Sequence, residues 1–119
     1  MREETPVVFI RCADELDAIR DAWARLEAIV PLRGNTFFGT FDGHEYRACA
    51  AADAEGLERG VIPGGRYARS RLRGDPPAVY EQIGPTVDAL EAAVDVDPTR
   101  PVVEFYRRND EIDILVPIV

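Results

Sequence analysis

Apolar positions recur with two spacings along this chain of 119 residues. Residues 6–11, 36–41, 45–52, 66–72, 101–106 and 112–118 are short runs rich in β-branched and aromatic residues, the pattern of strands. Two longer segments carry the wider spacing of an amphipathic helix. In residues 14–30 the stripe is Leu16, Ile19, Trp23, Leu26 and Val30, and Pro31 stops it. In the second segment Gly74-Asp75-Pro76-Pro77 opens a helix running to about residue 94, with a stripe of Tyr80, Ile83, Val87, Leu90 and Val94. Gly84-Pro85 lies inside that stripe and predicts a kink or break there, because proline lacks the backbone donor. Gly34-Asn35 marks a turn, Asp42-Gly43 a two-residue hairpin, and Arg107 to Asp110 a second hairpin. Residues 53–60 read as a polar loop and residues 1–5 as a loose end.

The two halves match when one is shifted by 64 positions. Each stripe residue of the first helix then falls on a stripe residue of the second. The same shift carries Phe38 to Val102, Thr40 to Glu104, and Ala48, Ala50 and Ala52 to Ile112, Ile114 and Val116. The expectation is a single α+β domain over 1–119, built from duplicated strand–helix–strand–strand modules (roughly 6–52 and 66–119), with an antiparallel sheet and two helices on one face. Val103, Phe105 and the row of isoleucines and valine after residue 111 form the expected helix-facing set. Phe38, Thr40, Val102, Glu104 and Tyr106 are then placed on the other face.

Glu104 is the position that asks for chemistry. It is a carboxylate inside an otherwise apolar strand, and such a group is either solvated or held in a pocket with a partner. Tyr106 lies two residues on and shares its face. Phe38, Tyr46 and Tyr67 are strand aromatics, and Trp23 lies on the helix stripe; all four read as core or as the wall of a pocket. In an apolar pocket Glu104 would bind a proton more tightly, would favour a cationic ligand, and could act as a general base on water.

Composition narrows the rest. The formal net charge is −8, with 22 acidic and 14 basic residues, all of the latter arginine. Such a balance disfavours direct nucleic-acid binding, and the absence of lysine removes Schiff-base and phosphate-loop chemistry. The row Arg66, Arg69, Arg71 and Arg73 reads as a solvated edge paired to acidic neighbours. Cys12, Cys49 and a lone His44 in a turn make no metal set, and no cofactor or metal is expected. No apolar run approaches the roughly 18 residues of a membrane span and no signal peptide is evident, so a cytoplasmic location and no membrane partner are expected. The sequence assigns no oligomeric state.

Three segments resemble the GyrI-like small-molecule-binding domains, the effector-binding domains of AraC-type and MerR-type regulators. They are Ile62-Pro63-Gly64-Gly65-Arg66-Tyr67-Ala68, Arg73-Gly74, and Glu104-Phe105-Tyr106 followed by Ile114-Leu115-Val116-Pro117-Ile118. The resemblance is good over 61–119 and thinner over 1–60. It implies a stand-alone member with paired strand–helix–strand–strand modules and an aromatic pocket floored by Glu104. The implied partner is a hydrophobic or amphipathic, often cationic, small molecule, bound by a drug or effector sensor or sequestering domain. Two alternatives follow from the same resemblance. One is hydrolysis of strained cyclopropane-type genotoxins, with Glu104 and Tyr106 as catalytic groups. The other is a protein-interaction module such as a gyrase modulator, with a protein partner.

Overall fold

The computed structural model describes residues 2–108 and 110–119; Asn109 of the predicted second hairpin turn lies outside them. In chain order the elements are β1 (Thr5–Ala13), α1 (Leu16–Ile29), β2 (Phe37–Phe41), β3 (Glu45–Ala50), β4 (Glu58–Ile62), β5 (Tyr67–Arg73), α2 (Ala78–Glu81), α3 (Ile83–Ala93), β6 (Val102–Arg108) and β7 (Glu111–Pro117). The α+β class is as expected. The seven strands form one antiparallel sheet in the order β4-β1-β3-β2-β6-β7-β5.

That order forces the sheet to curl. β4 and β5 are its two edges, yet only Pro63 to Arg66 connect them. Seven flat strands about 4.8 Å apart would hold the edges roughly 29 Å from each other. Four linking residues reach about 17 Å at most. The edges therefore bend toward each other at this end, and one side of the sheet becomes concave. Arg2 bridges Gly65 in antiparallel fashion across the closure, and Val96 bridges Ile118. Arg100 fastens the same seam: its guanidinium donates to the carbonyls of Gly64, Arg66 and Ile118 at 3.2, 3.1 and 2.8 Å and to Asp97 at 2.9 Å. Arg100→Met is expected to lower stability by about 2 kcal/mol, the net loss of several carbonyl bonds at a partly buried site. Urea denaturation checks this, and an unchanged midpoint would refute it.

The chain end is anchored, against expectation, and a further strand follows β3. Residues 2–4 are tied down by the Arg2–Gly65 bridge rather than loose, and β4 emerges from what reads as a polar loop. β4 has one fully buried apolar residue, Ile62, so no alternation announces it.

The convex face carries the helices. α1 covers β1 and β3, and α3 covers β5 and β7, leaving the central pair β2–β6 between them. Ala22 and Leu26 of α1 are buried against Val8, Ile10, Ala48 and Ala50, with Ile19 and Trp23 alongside. Leu16, expected in this stripe, is 63% exposed at the first turn. The helix stops because Val30 precedes Pro31 and takes an extended conformation. The second helix breaks at Gln82, ahead of the expected Gly84-Pro85. Pro85 instead falls in the first turn of α3, where a backbone donor has no partner within the helix. Val79 is buried there, while Tyr80 of the predicted stripe is 42% exposed.

The concave face is apolar without any helix over it. Val7, Phe9, Phe38, Cys49, Ile62, Val103 and Leu115 form its cluster. Phe38 stacks on Phe105 with centroids 5.1 Å apart, and the Arg2 guanidinium lies over both rings at 5.0 and 5.2 Å. Curling lets these residues bury one another. The expected face assignment is thus reversed for β6: Val103 and Phe105 face the concave side, and Glu104 and Tyr106 the helices. The cause is register. Glu104 pairs with Ile114 and Gly39, and Phe38 pairs with Phe105, so parity puts Glu104 with the isoleucine row and Phe38 opposite it.

Candidate functional site

Between α1 and α3, the floor of the convex face is laid by β2 and β6. Directly opposed residues share a face, so Phe37 meets Tyr106, Gly39 meets Glu104 and Phe41 meets Val102. β3 adds Tyr46 from the far side of β2, where it pairs with Phe41. α1 lowers Trp23, the single tryptophan, onto this floor.

These residues form one hydrogen-bonded network. The Tyr46 hydroxyl donates to Glu104 Oε1 at 2.7 Å and the Tyr106 hydroxyl donates to the same oxygen at 2.6 Å. The Trp23 indole N–H donates to the Tyr46 hydroxyl at 3.1 Å. Trp23 meets Tyr106 edge-on at 5.2 Å and Phe37 at 6.1 Å, and Tyr80 meets Tyr106 at 6.5 Å. Gly39 makes the convergence feasible. A Cβ there would overlap both the Tyr46 hydroxyl and Glu104 Oε1.

Glu104 Oε2 has no hydrogen-bond donor, and the carboxylate no arginine partner, among the described residues. Burial raises the Glu104 pKa above its ordinary value, and the charge of Asp14 adds to this; the two phenols pull the other way. Burial, followed by the neighbouring Glu104 charge, pushes the Tyr46 and Tyr106 phenols well above their ordinary range, so both remain donors. The Tyr80 phenol is raised by burial and then by Glu27 of α1. The cluster therefore combines an unpaired carboxylate, aromatic neighbours and the nearby acidic residues Asp14 and Glu27.

Of the six residues singled out in the sequence, Glu104, Tyr106, Tyr46 and Trp23 come together here. Phe38 and Tyr67 do not. Phe38, only 1% exposed, belongs to the concave cluster, and Tyr67 lies on that same side with its hydroxyl donating to the Pro63 carbonyl at 2.7 Å. Thr40, matched to Glu104 by the 64-residue shift, is likewise buried on the concave side opposite Val103. The shift aligns the halves one residue out of parity across β2, which accounts for Phe38; Tyr67 lies on β5, where its pairing with Pro117 sets its side. Sequence reasoning missed Gly39, Phe37 and Tyr80. Gly39 carried a usable signal, because glycine inside a strand marks a close approach.

His44 lies exposed in its turn, beside Asp42, whose Oδ1 accepts from the backbone N–H groups of His44 and Glu45. Among the described residues no group of three or more His, Cys, Asp or Glu could hold a metal ion, and no helix is long and apolar enough to cross a membrane.

No protein-family model and no curated protein matches the chain. A solved structure does: an integron cassette protein from the mobile metagenome of Vibrio cholerae, 12% identical, with a TM-score of 0.81 over 98% of this chain and 92% of the other. At that identity the two share a fold, and the likeness ends there.

Proposed function

We propose that the chain is a GyrI-like effector-binding domain that takes up hydrophobic or amphipathic cations between α1 and α3. One observation carries the reading: Glu104 sits among Trp23, Tyr46, Tyr106 and Phe37 with an oxygen to spare and no basic side chain to neutralise it among the described residues. A half-buried carboxylate without a counter-ion is costly to the folded protein, and a cation entering the site offsets that cost. Aromatic faces add roughly 0.5–2 kcal/mol of cation–π attraction. The duplicated-module architecture belongs to the same proposal. It is supported by the recurrence of a strand, helical segment and hairpin in β1-α1-β2-β3 and in β5-α2-α3-β6-β7.

The test uses Trp23 as reporter. Tetraphenylphosphonium is expected to quench its fluorescence saturably, and the neutral triphenylphosphine oxide to bind at least tenfold more weakly. Equal affinity for the two would show that charge is not being read.

A second reading rests on the raised Glu104 pKa. Oε2 would take a proton from water as its oxygen bonds to a ring carbon; the ring C–C bond breaks and its electron pair passes to the electrophile's own conjugated carbonyl, while Tyr106 steadies the carboxylate from Oε1. Incubation with a cyclopropane-bearing electrophile, followed by mass spectrometry, separates the two. Turnover that disappears in Glu104→Gln supports hydrolysis, and recovery of intact compound supports binding alone.

A further inference from the structure

β5 is an edge strand, and its two faces differ. Arg69, Arg71 and Arg73 share the concave-side face, while Ala68, Ser70 and Leu72 share the helix side. Arg71 is held by Asp113 at 2.7 Å, and Arg73 reaches Glu111 only at 4.0 Å. Arg69, and Arg66 just before the strand, have no ion pair among the described residues and are exposed. A chain of net charge −8 thus presents a basic strip along one open strand.

On the other face, small side chains leave room. Alongside Ser70 an open groove of about 680 Å³ runs against α2 and α3, its lining mixed: Ala78, Pro85, Ala89 and Leu90 are apolar, and Glu81, Gln82 and Thr86 polar. Ile83, Val87 and Leu90 of α3 pack on the Leu72–Ile112–Ile114 cluster but are only partly buried at this edge. Charge on an edge strand can serve simply to prevent sheet-to-sheet association. That purpose does not explain a groove with an apolar stretch, Ala78, Pro85, Ala89 and Leu90, beside the same strand.

We propose that β5 is a docking edge for an extended protein segment that adds as an eighth strand, alternating acidic and apolar residues. Strand addition satisfies the open backbone groups of β5, and side-chain pockets give specificity. With a period of two, every second side chain of the guest enters the groove by Ser70 and the others meet Arg69 and Arg73. A second copy of this chain is a poor occupant, because pairing β5 with β5 would set arginine rows against each other. The site is separate from the Glu104 cluster and does not depend on the reading given to it.

The probe is a fluorescein-labelled seven-residue peptide alternating glutamate with valine, followed by anisotropy and by backbone amide shifts. Saturable binding is expected, with shifts concentrated in residues 68–72. Arg69→Glu is expected to weaken it at least tenfold, Ser70→Trp to weaken it by filling the groove, and Glu104→Gln to leave it unchanged. A peptide of the same composition with glutamates and valines in separate blocks should bind at least fivefold more weakly. Equal binding of the block peptide, equal binding of an oligothymidylate of the same charge, or indifference to Arg69→Glu would each overturn the proposal.

Discussion

Gly39→Ala is expected to lower stability by about 2.5–6 kcal/mol and to abolish cation binding, although it adds one methyl group. The added carbon occupies the space where the Tyr46 hydroxyl and Glu104 Oε1 meet. Neither can withdraw alone. Tyr46 is 3% exposed and also accepts from Trp23, so moving its ring disturbs the contact of α1 with the sheet. Moving Glu104 breaks the bond from Tyr106 as well. Overpacking of this kind costs roughly 1–3 kcal/mol, and a broken charge-assisted bond about 1.5–3 more when its partners stay buried. Thermal unfolding checks the stability and Trp23 emission the network. A variant as stable as the parent, with unchanged emission, would show that the three side chains do not depend on one another.

Glu104→Gln acts in the opposite sense on stability and strongly on binding. Removing the charge is expected to weaken tetraphenylphosphonium binding by roughly 10–100-fold, the equivalent of about 1.4–2.8 kcal/mol. The unliganded variant should be at least as stable as the parent at neutral pH. The sign follows from the proton balance. Burial raises the folded-state pKa of Glu104 above its ordinary value of 4.5, so between the two values the folded protein holds more protons than the unfolded chain. Its stability therefore rises as the pH falls through that window and declines as the pH climbs out of it. The Glu104→Gln variant should lack this increment. Cation affinity in the parent should fall as acid protonates Glu104, with a proton released on binding inside the window. Calorimetric titration in two buffers of different ionisation enthalpy measures that proton. An affinity independent of pH, or a glutamine variant that binds as well as the parent, would remove Glu104 from the site.

Much of this arrangement is legible in the residues. Trp23 and Leu26 on a helical stripe, the turn at Asp42-Gly43 and the misplaced Glu104 mark the helix, the hairpin and the centre of the site before any coordinates are drawn. The parity of β2 against β6 is not legible. Both faces of these strands are apolar, so alternation does not say which side Phe38 or Phe105 takes. A helix-covered sheet normally has one dry face; this one has two, because the curl lets Val7, Phe9 and Val103 shield each other. Long-range pairing also decides β4, whose sequence contains Arg59 and Gly60 and which becomes a strand by pairing with β1. Gly39 shows the limit most plainly. Its presence in a strand signals close approach, and only the register with Glu104 says by what.

The curl has a mechanical side. α1 rides on one outer pair of strands and α3 on the other, and among the described residues no further helix covers the central pair. The sheet then has the form of a leaf spring with a jaw on each arm: a tighter curl would part the jaws, and a flatter one would bring them together. The spring is set by the Phe38–Phe105 stack and the Arg100 clasp on the reverse side. A change in the curl would therefore alter the spacing of α1 and α3 before it displaced Glu104, which lies on the central pair.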